Sequence, residues 1–149
     1  MIPILIIVLT IFVVVLSASS AVFAADELTF KAKNSFSNPQ TLKNLEIFTF
    51  SAFAQVDLND DGIDELILRN SSSANFSEFH IIGLNNDKIF ELGDITANKL
   101  MISYNRNHGV RSLLAFKNSN NDYDYTVYQW DAETSHYVDQ GRILREDKI

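Results

Sequence analysis

Phe48-Thr49-Phe50-Ser51-Ala52-Phe53-Ala54-Gln55-Val56-Asp57-Leu58-Asn59-Asp60-Asp61-Gly62-Ile63-Asp64-Glu65-Leu66-Ile67-Leu68 is the stretch that decides the fold. Phe48, Phe50, Ala52, Ala54 and Val56 fall on one side of an extended chain, with Thr49, Ser51 and Gln55 on the other. A period of two is what a strand with one buried face requires. The strand runs straight into an acidic turn, and a second apolar run starts at Glu65. Strand, tight turn, strand describes a hairpin.

Outward from this hairpin, short apolar runs bounded by Asn, Asp, Gly and Ser predict further strands at Glu65–Arg69, Glu78–Leu84, Lys88–Leu92, Leu100–Tyr104, Val110–Lys117, Tyr123–Trp130 and His136–Asp139. None of them combines helical length with a 3.6-residue period, so the expected class is all-β with antiparallel hairpins. Before the hairpin, residues 25–44 are mixed polar around Pro39 and are expected as an irregular lead-in with a short helical turn near Gln40–Asn44. Residues 45–149 are then a single β domain.

That domain carries an internal echo. A shift of 47 residues lays Gly62 on Gly109, Ile63 on Val110, Leu66 on Leu113 and Ile67 on Leu114. The copies would span about residues 45–95 and 96–144, each a four-stranded unit shaped like one propeller blade. Two blades cannot close a ring that needs at least about four. The units are therefore expected to pack as a sandwich, or to associate between chains, without forming a closed propeller.

Ile2–Leu16 is an uninterrupted apolar or neutral run, followed by Ser17-Ala18-Ser19-Ser20 and Val22-Phe23-Ala24. Small residues before a cleavage point after Ala24 fit a secretory signal peptide over residues 1–24. The absence of Lys or Arg ahead of the run leaves an uncleaved N-terminal membrane anchor as the competing reading. Both place the rest of the chain outside the cytoplasm, in a periplasmic or secreted setting. Outside a eukaryotic cell, Asn70-Ser71-Ser72 and Asn75-Phe76-Ser77 would be glycosylation acceptors.

Composition narrows the function. The chain has 12 Lys and Arg against 19 Asp and Glu, a formal charge of −7, and no Cys. An acidic surface without a basic cluster does not suit nucleic acid. Without Cys there is no disulfide framework, thiolate zinc site or Cys nucleophile. No Gly-x-Ser-x-Gly, His-Glu-x-x-His or phosphate-binding Gly loop occurs, so a non-enzymatic role is expected. His80, His108 and His136 show no paired spacing and are expected as surface or hydrogen-bonded core histidines. Tyr123, Tyr125, Tyr128, Trp130 and Tyr137 fit a small β core or an interface. Arg142–Ile149 is expected to be a solvated tail.

The segment Asp57–Glu65 carries the chemistry. Oxygen-bearing side chains occupy loop positions 1, 3, 5 and 9, with Gly at position 6. Ca²⁺ takes about six to eight oxygens, and a tight loop lets alternate side chains converge while the position-7 carbonyl turns inward. The ligand set for one Ca²⁺ is thus Asp57, Asn59, Asp61, the backbone oxygen of Ile63, and Glu65. Leu58 and Leu66 would anchor the loop in the core, while Asp60 and Asp64 face solvent. A bare Asp-Gly hairpin turn is the competing reading, because that dipeptide is favoured on backbone grounds alone.

Asp57-Leu58-Asn59-Asp60-Asp61-Gly62 followed by Glu65-Leu66-Ile67-Leu68 resembles the calcium loop of FG-GAP and VCBS repeats, the integrin-type propeller motif. The resemblance covers about 12 residues and implies a calcium-stapled hairpin in an extracellular β domain. Glu65 stands where that family more often has Asp. In the second copy, Tyr104, Arg106 and His108 occupy the ligand positions, so one site is expected. Two roles follow: a Ca²⁺-stiffened domain that binds a protein or glycan, or a periplasmic inhibitor or immunity protein that neutralises a wall-active or toxic enzyme.

Overall fold

The computed structural model describes residues 25–71, 75–118, 120 and 124–144. The expected signal peptide or anchor, Tyr123, and the tail beyond Leu144 lie outside the described residues. The protein is all-β, as its period-two runs predict, with two antiparallel five-stranded sheets that do not close into a barrel.

One sheet holds β2 (Lys31–Ala32), β3 (Ala52–Val56), β4 (Glu65–Ser71), β5 (Ser77–Asn85) and β6 (Lys88–Ala97), in that spatial order. The other holds β1 (Ala25–Glu27), β7 (Lys99–Asn107), β8 (Val110–Phe116), β9 (Asp124–Asp131) and β10 (His136–Leu144). Each sheet is a four-stranded meander with one short strand from the chain start added at its edge. The meanders correspond strand for strand, and Gly62 and Gly109 both take positive φ, 83° and 79°, just ahead of β4 and β8.

The two sheets face each other across one core. Ala54, Ile67, Phe79, Ile81 and Ile95 from the first sheet meet Leu100, Ile102, Leu113, Ala115 and Tyr137 from the second. Cross-strand pairs Ala54↔Ile67 and Ile67↔Ile81 line up this face, and Ile67, Ile81 and Leu113 are fully buried.

Three expectations need correction. Residues 25–44 are not merely irregular. They supply β1, β2 and a 3-10 turn at Lys33–Ser35, while the helical turn expected near Gln40–Asn44 is present as helix α1 (Pro39–Asn44), where the Asn38 side chain accepts from the Gln40 and Thr41 N–H groups. Strands of two and three residues are too short to show a period, whereas the cap and Pro39 mark the helix locally. The first strand of the hairpin, β3, begins at Ala52 rather than Phe48, because a second 3-10 turn, Leu45–Ile47, precedes it. Finally, the first sheet is buried on both faces: Phe53, Leu66, Leu68 and Ile82 on its outer side pack with Leu45 and Phe50, and with Phe36, Leu42 and Phe48.

Candidate functional site

The loop between β3 and β4 folds over its own side chains. Asp57 accepts from the Asp61 N–H through Oδ1 at 3.2 Å and from the Gly62 N–H through Oδ2 at 2.8 Å. Asn59 Oδ1 accepts from the Asp61 N–H at 3.0 Å, and Asp61 Oδ1 from the Ile63 N–H at 2.8 Å. Asn59 Nδ2 donates to Asp61 Oδ2 at 3.1 Å. Glu65 closes the ring from the first residue of β4: its Oε2 accepts from the Leu58 N–H at 2.7 Å, and the residue is only 7% exposed.

Asp57, Asn59 and Asp61 are thus drawn into one hydrogen-bonded loop, with Glu65 tied to it only through the Leu58 N–H; among the described residues, Asp57, Asp61 and Glu65 are not a group whose ligand atoms all lie within 4.8 Å of one another. Each carboxylate oxygen that accepts one N–H keeps a lone pair. Ile63 joins through its N–H, with its side chain 53% exposed. Asp60 and Asp64 are exposed, and so are Asn59 and Asp61 of the expected ligand set. A cavity of about 40 Å³ lies beside Glu65 and Asn59 with apolar walls from Leu58, Leu92, Val110, Trp130 and Tyr137; Asp57, Asp61 and Ile63 do not line it. The donor set, hard oxygens on a tight turn, fits a hard divalent cation.

The local electrostatics have the sign such a cation would relieve. Burial pushes the Glu65 carboxyl above its ordinary range, and although the Leu58 N–H opposes this, the charges of Asp61 and Asp57 raise it further. Desolvation also acts to raise Asp57, but the Gly62, Asp61, Asn59 and Asp60 N–H groups together hold it below the usual aspartate value. A carboxyl raised above 4.5 gives its full stability below that pH and loses it as pH rises through the folded value. The lowered Asp57, Asp26, Asp124 and Asp131 act in a separate window, losing their contribution as pH falls below 3.8. In chelator, the melting temperature should therefore decline as pH rises above about 4.5. Glu65→Gln should flatten that decline, which a thermal melt series across pH measures directly.

Gly62 supplies the bend. Its φ of +83° is the left-handed region, and nothing lies within 4 Å of where a Cβ would stand. Gly62→Ala should cost about 1 kcal/mol through backbone strain alone. Urea unfolding in chelator gives that number free of any metal effect.

The loop is tied to the opposite sheet. The Leu58 carbonyl accepts from the Arg111 N–H at 2.8 Å, and the Arg111 carbonyl accepts from the Tyr137 hydroxyl at 2.9 Å. Burial pushes the Tyr137 hydroxyl well above the ordinary tyrosine range. The Arg111 guanidinium lies over the Tyr104 ring and donates to Asp26 Oδ2 at 2.9 Å, holding β1 to its sheet. In the corresponding loop of the second meander, Arg106 reaches across to Asp60 at 2.7 Å and also donates to the Gly109 carbonyl. Arg106, which stands where Asn59 does in the first meander, thus brings positive charge to the Asp57–Glu65 loop.

The sequence gives no sign of a further cluster. His80, Glu91 and Asp94 offer ligand atoms that all lie within 4.8 Å of one another. His80 is half-buried, and among the described residues its Nδ1 has no hydrogen-bond partner, only the two carboxylates at ion-pair distance. Arg142, expected in a solvated tail, is exposed but lies within β10, where it makes a two-pronged pair with Asp124, at 2.7 Å for each nitrogen. No family model matches the chain, and no curated protein or solved structure matches it either.

Proposed function

We propose that the protein is an exported, non-enzymatic Ca²⁺-binding β domain in which the ion stiffens the β3–β4 hairpin for interaction with a protein or glycan. The supporting observation is the inward folding of Asp57, Asn59 and Asp61 over the loop backbone, with the buried Glu65 carboxylate closing it. Asp57, Asn59, Asp61, the Ile63 carbonyl and Glu65 would hold the ion. Bound Ca²⁺ supplies charge neutralisation and a rigid crosslink. The chain's own residues orient that crosslink: Leu58 carries it to the second sheet, and Arg106 balances the outward Asp60. Calorimetric titration with Ca²⁺ should show one equivalent binding per chain, lost in Asp61→Ala. Heats no larger than dilution for the unaltered chain would refute the reading.

An inhibitor or immunity role is the second reading. It is favoured by the loop's outer surface, where Ile63 at 53% exposure stands beside the exposed Asp64, an apolar tip with an acidic neighbour suited to a basic cleft. A nanomolar complex with one wall-active hydrolase, weakened by Ile63→Ala, would select this reading. Intact hydrolase activity at saturating protein would reject it.

A further inference from the structure

We propose a second metal site, of different chemistry, at His80, Glu91 and Asp94 on the outer face of the first sheet: a site for a divalent transition ion of the Zn²⁺ class. The sheet's register creates it. His80 on β5 stands directly opposite Asp94 on β6, while Ile81 pairs with Gly93 and Ile82 with Glu91. The ladder therefore slips by one residue at Leu92. Leu92 packs into the core between the sheets, and Gly93 also faces inward, against Tyr137. With two consecutive residues inward, Glu91 and Asp94 share the outward face despite their three-residue separation. A regular strand would have sent them to opposite sides.

The histidine turns Nδ1 toward those carboxylates, at ion-pair distance from both. Its Nδ1 is buried and has no hydrogen-bond partner. The ring is packed against Phe48 at a centroid distance of 5.0 Å, and its neighbour on β4 is the fully buried Leu68. Apolar groups therefore close two sides. On the remaining side, Nδ1 lies 3.6 Å from Glu91 Oε1 and 3.6 Å from Asp94 Oδ1.

That separation is too long for a hydrogen bond but matches the edge of a metal tetrahedron. With metal–ligand bonds of about 2.0–2.2 Å, neighbouring ligand atoms stand about 3.3–3.6 Å apart. Glu91 and Asp94 are 46% and 61% exposed, leaving them free to close and leaving a fourth position for water. Imidazole nitrogen with two carboxylates suits Zn²⁺ and its neighbours, whereas Ca²⁺ wants an all-oxygen shell. The site thus differs from the Asp57–Glu65 loop in both ion and location, and it stands or falls independently of it.

The test is titration of the purified full chain with Zn²⁺, and with Co²⁺ as a spectroscopic probe. One equivalent of Zn²⁺ should bind, Co²⁺ should give the intense visible absorption of a tetrahedral complex, and the His80 ring resonances should shift. Glu91→Gln and Asp94→Asn, each at a partly exposed position that the fold tolerates, should weaken Zn²⁺ by at least tenfold. Asp61→Ala should leave Zn²⁺ affinity unchanged. A natively folded chain that takes up no Zn²⁺, or whose uptake is indifferent to Glu91→Gln and Asp94→Asn, would overturn the proposal. So would a His80 ring that only titrates with pH, as an ion pair with these carboxylates, and ignores the metal.

Discussion

Ca²⁺ at 100-fold excess over its dissociation constant should raise the melting temperature by about 10 °C, and Asp61→Ala should abolish the rise. An ion that binds only the folded state at that excess adds about 2.7 kcal/mol. For a domain of this size each kcal/mol moves the midpoint by roughly 3–5 °C. The direction follows from the ion-free loop. The buried Glu65 carboxyl is raised in pKa by its own desolvation and by the charges of Asp61 and Asp57, so the loop's anions oppose one another when all are ionised. Asp61 is the informative position because it sits between the other two: its Oδ1 holds the Ile63 N–H and its Oδ2 takes the Asn59 amide. Removing it would delete one proposed ligand and release a second, Asn59, whose amide it holds. Equal melting temperatures in millimolar Ca²⁺ and in excess chelator would leave only a compact hairpin turn.

How far the sequence could be read depended on whether the deciding contact is local. Strand-forming alternation around Ala54, Ile67, Ile81 and Leu113 is visible in single runs, and these residues form the centre of the sandwich. The Asp57–Glu65 loop is visible for the same reason, since all its hydrogen bonds span at most seven residues except those to the second sheet. What escaped depends on register. Period-two reading ends β6 at Leu92, yet the strand continues to Ala97 through the irregularity that turns Glu91 and Asp94 to the same side. No rule applied to the run Glu91-Leu92-Gly93-Asp94 alone reveals that His80 pairs with it. Phe53 was equally illegible: its 2% exposure exists only because the turn and helix before β3 cover the outer face. Arg106 reads as a defect in a second cage, and only the packing of one meander on the other shows it beside Asp60.

Leu58→Ala should destabilise the protein by about 2–5 kcal/mol and also weaken Ca²⁺ binding, whereas Ile81→Ala should cost a similar amount and leave Ca²⁺ affinity intact. Both side chains lie in the core between the sheets, Leu58 at 1% exposure and Ile81 fully buried, so truncation leaves a cavity in either case. They differ in what their backbone holds. Leu58 lies inside the acidic loop. Its N–H donates to Glu65, its carbonyl takes the Arg111 N–H of the second sheet, and its side chain pins both. With the pin shortened, the Glu65 carboxylate loses its fixed donor, and the ion must order the loop as it binds, which lowers affinity. Ile81 sits on β5, away from the loop, and serves packing alone. Urea unfolding in chelator, followed by Ca²⁺ titration of each variant under native conditions, separates the two effects. If both variants lost affinity alike, the metal loop would simply be reporting global stability. If neither did, the loop would be independent of the core, and the hydrogen bond from Arg111 to Leu58 would carry no information between the sheets.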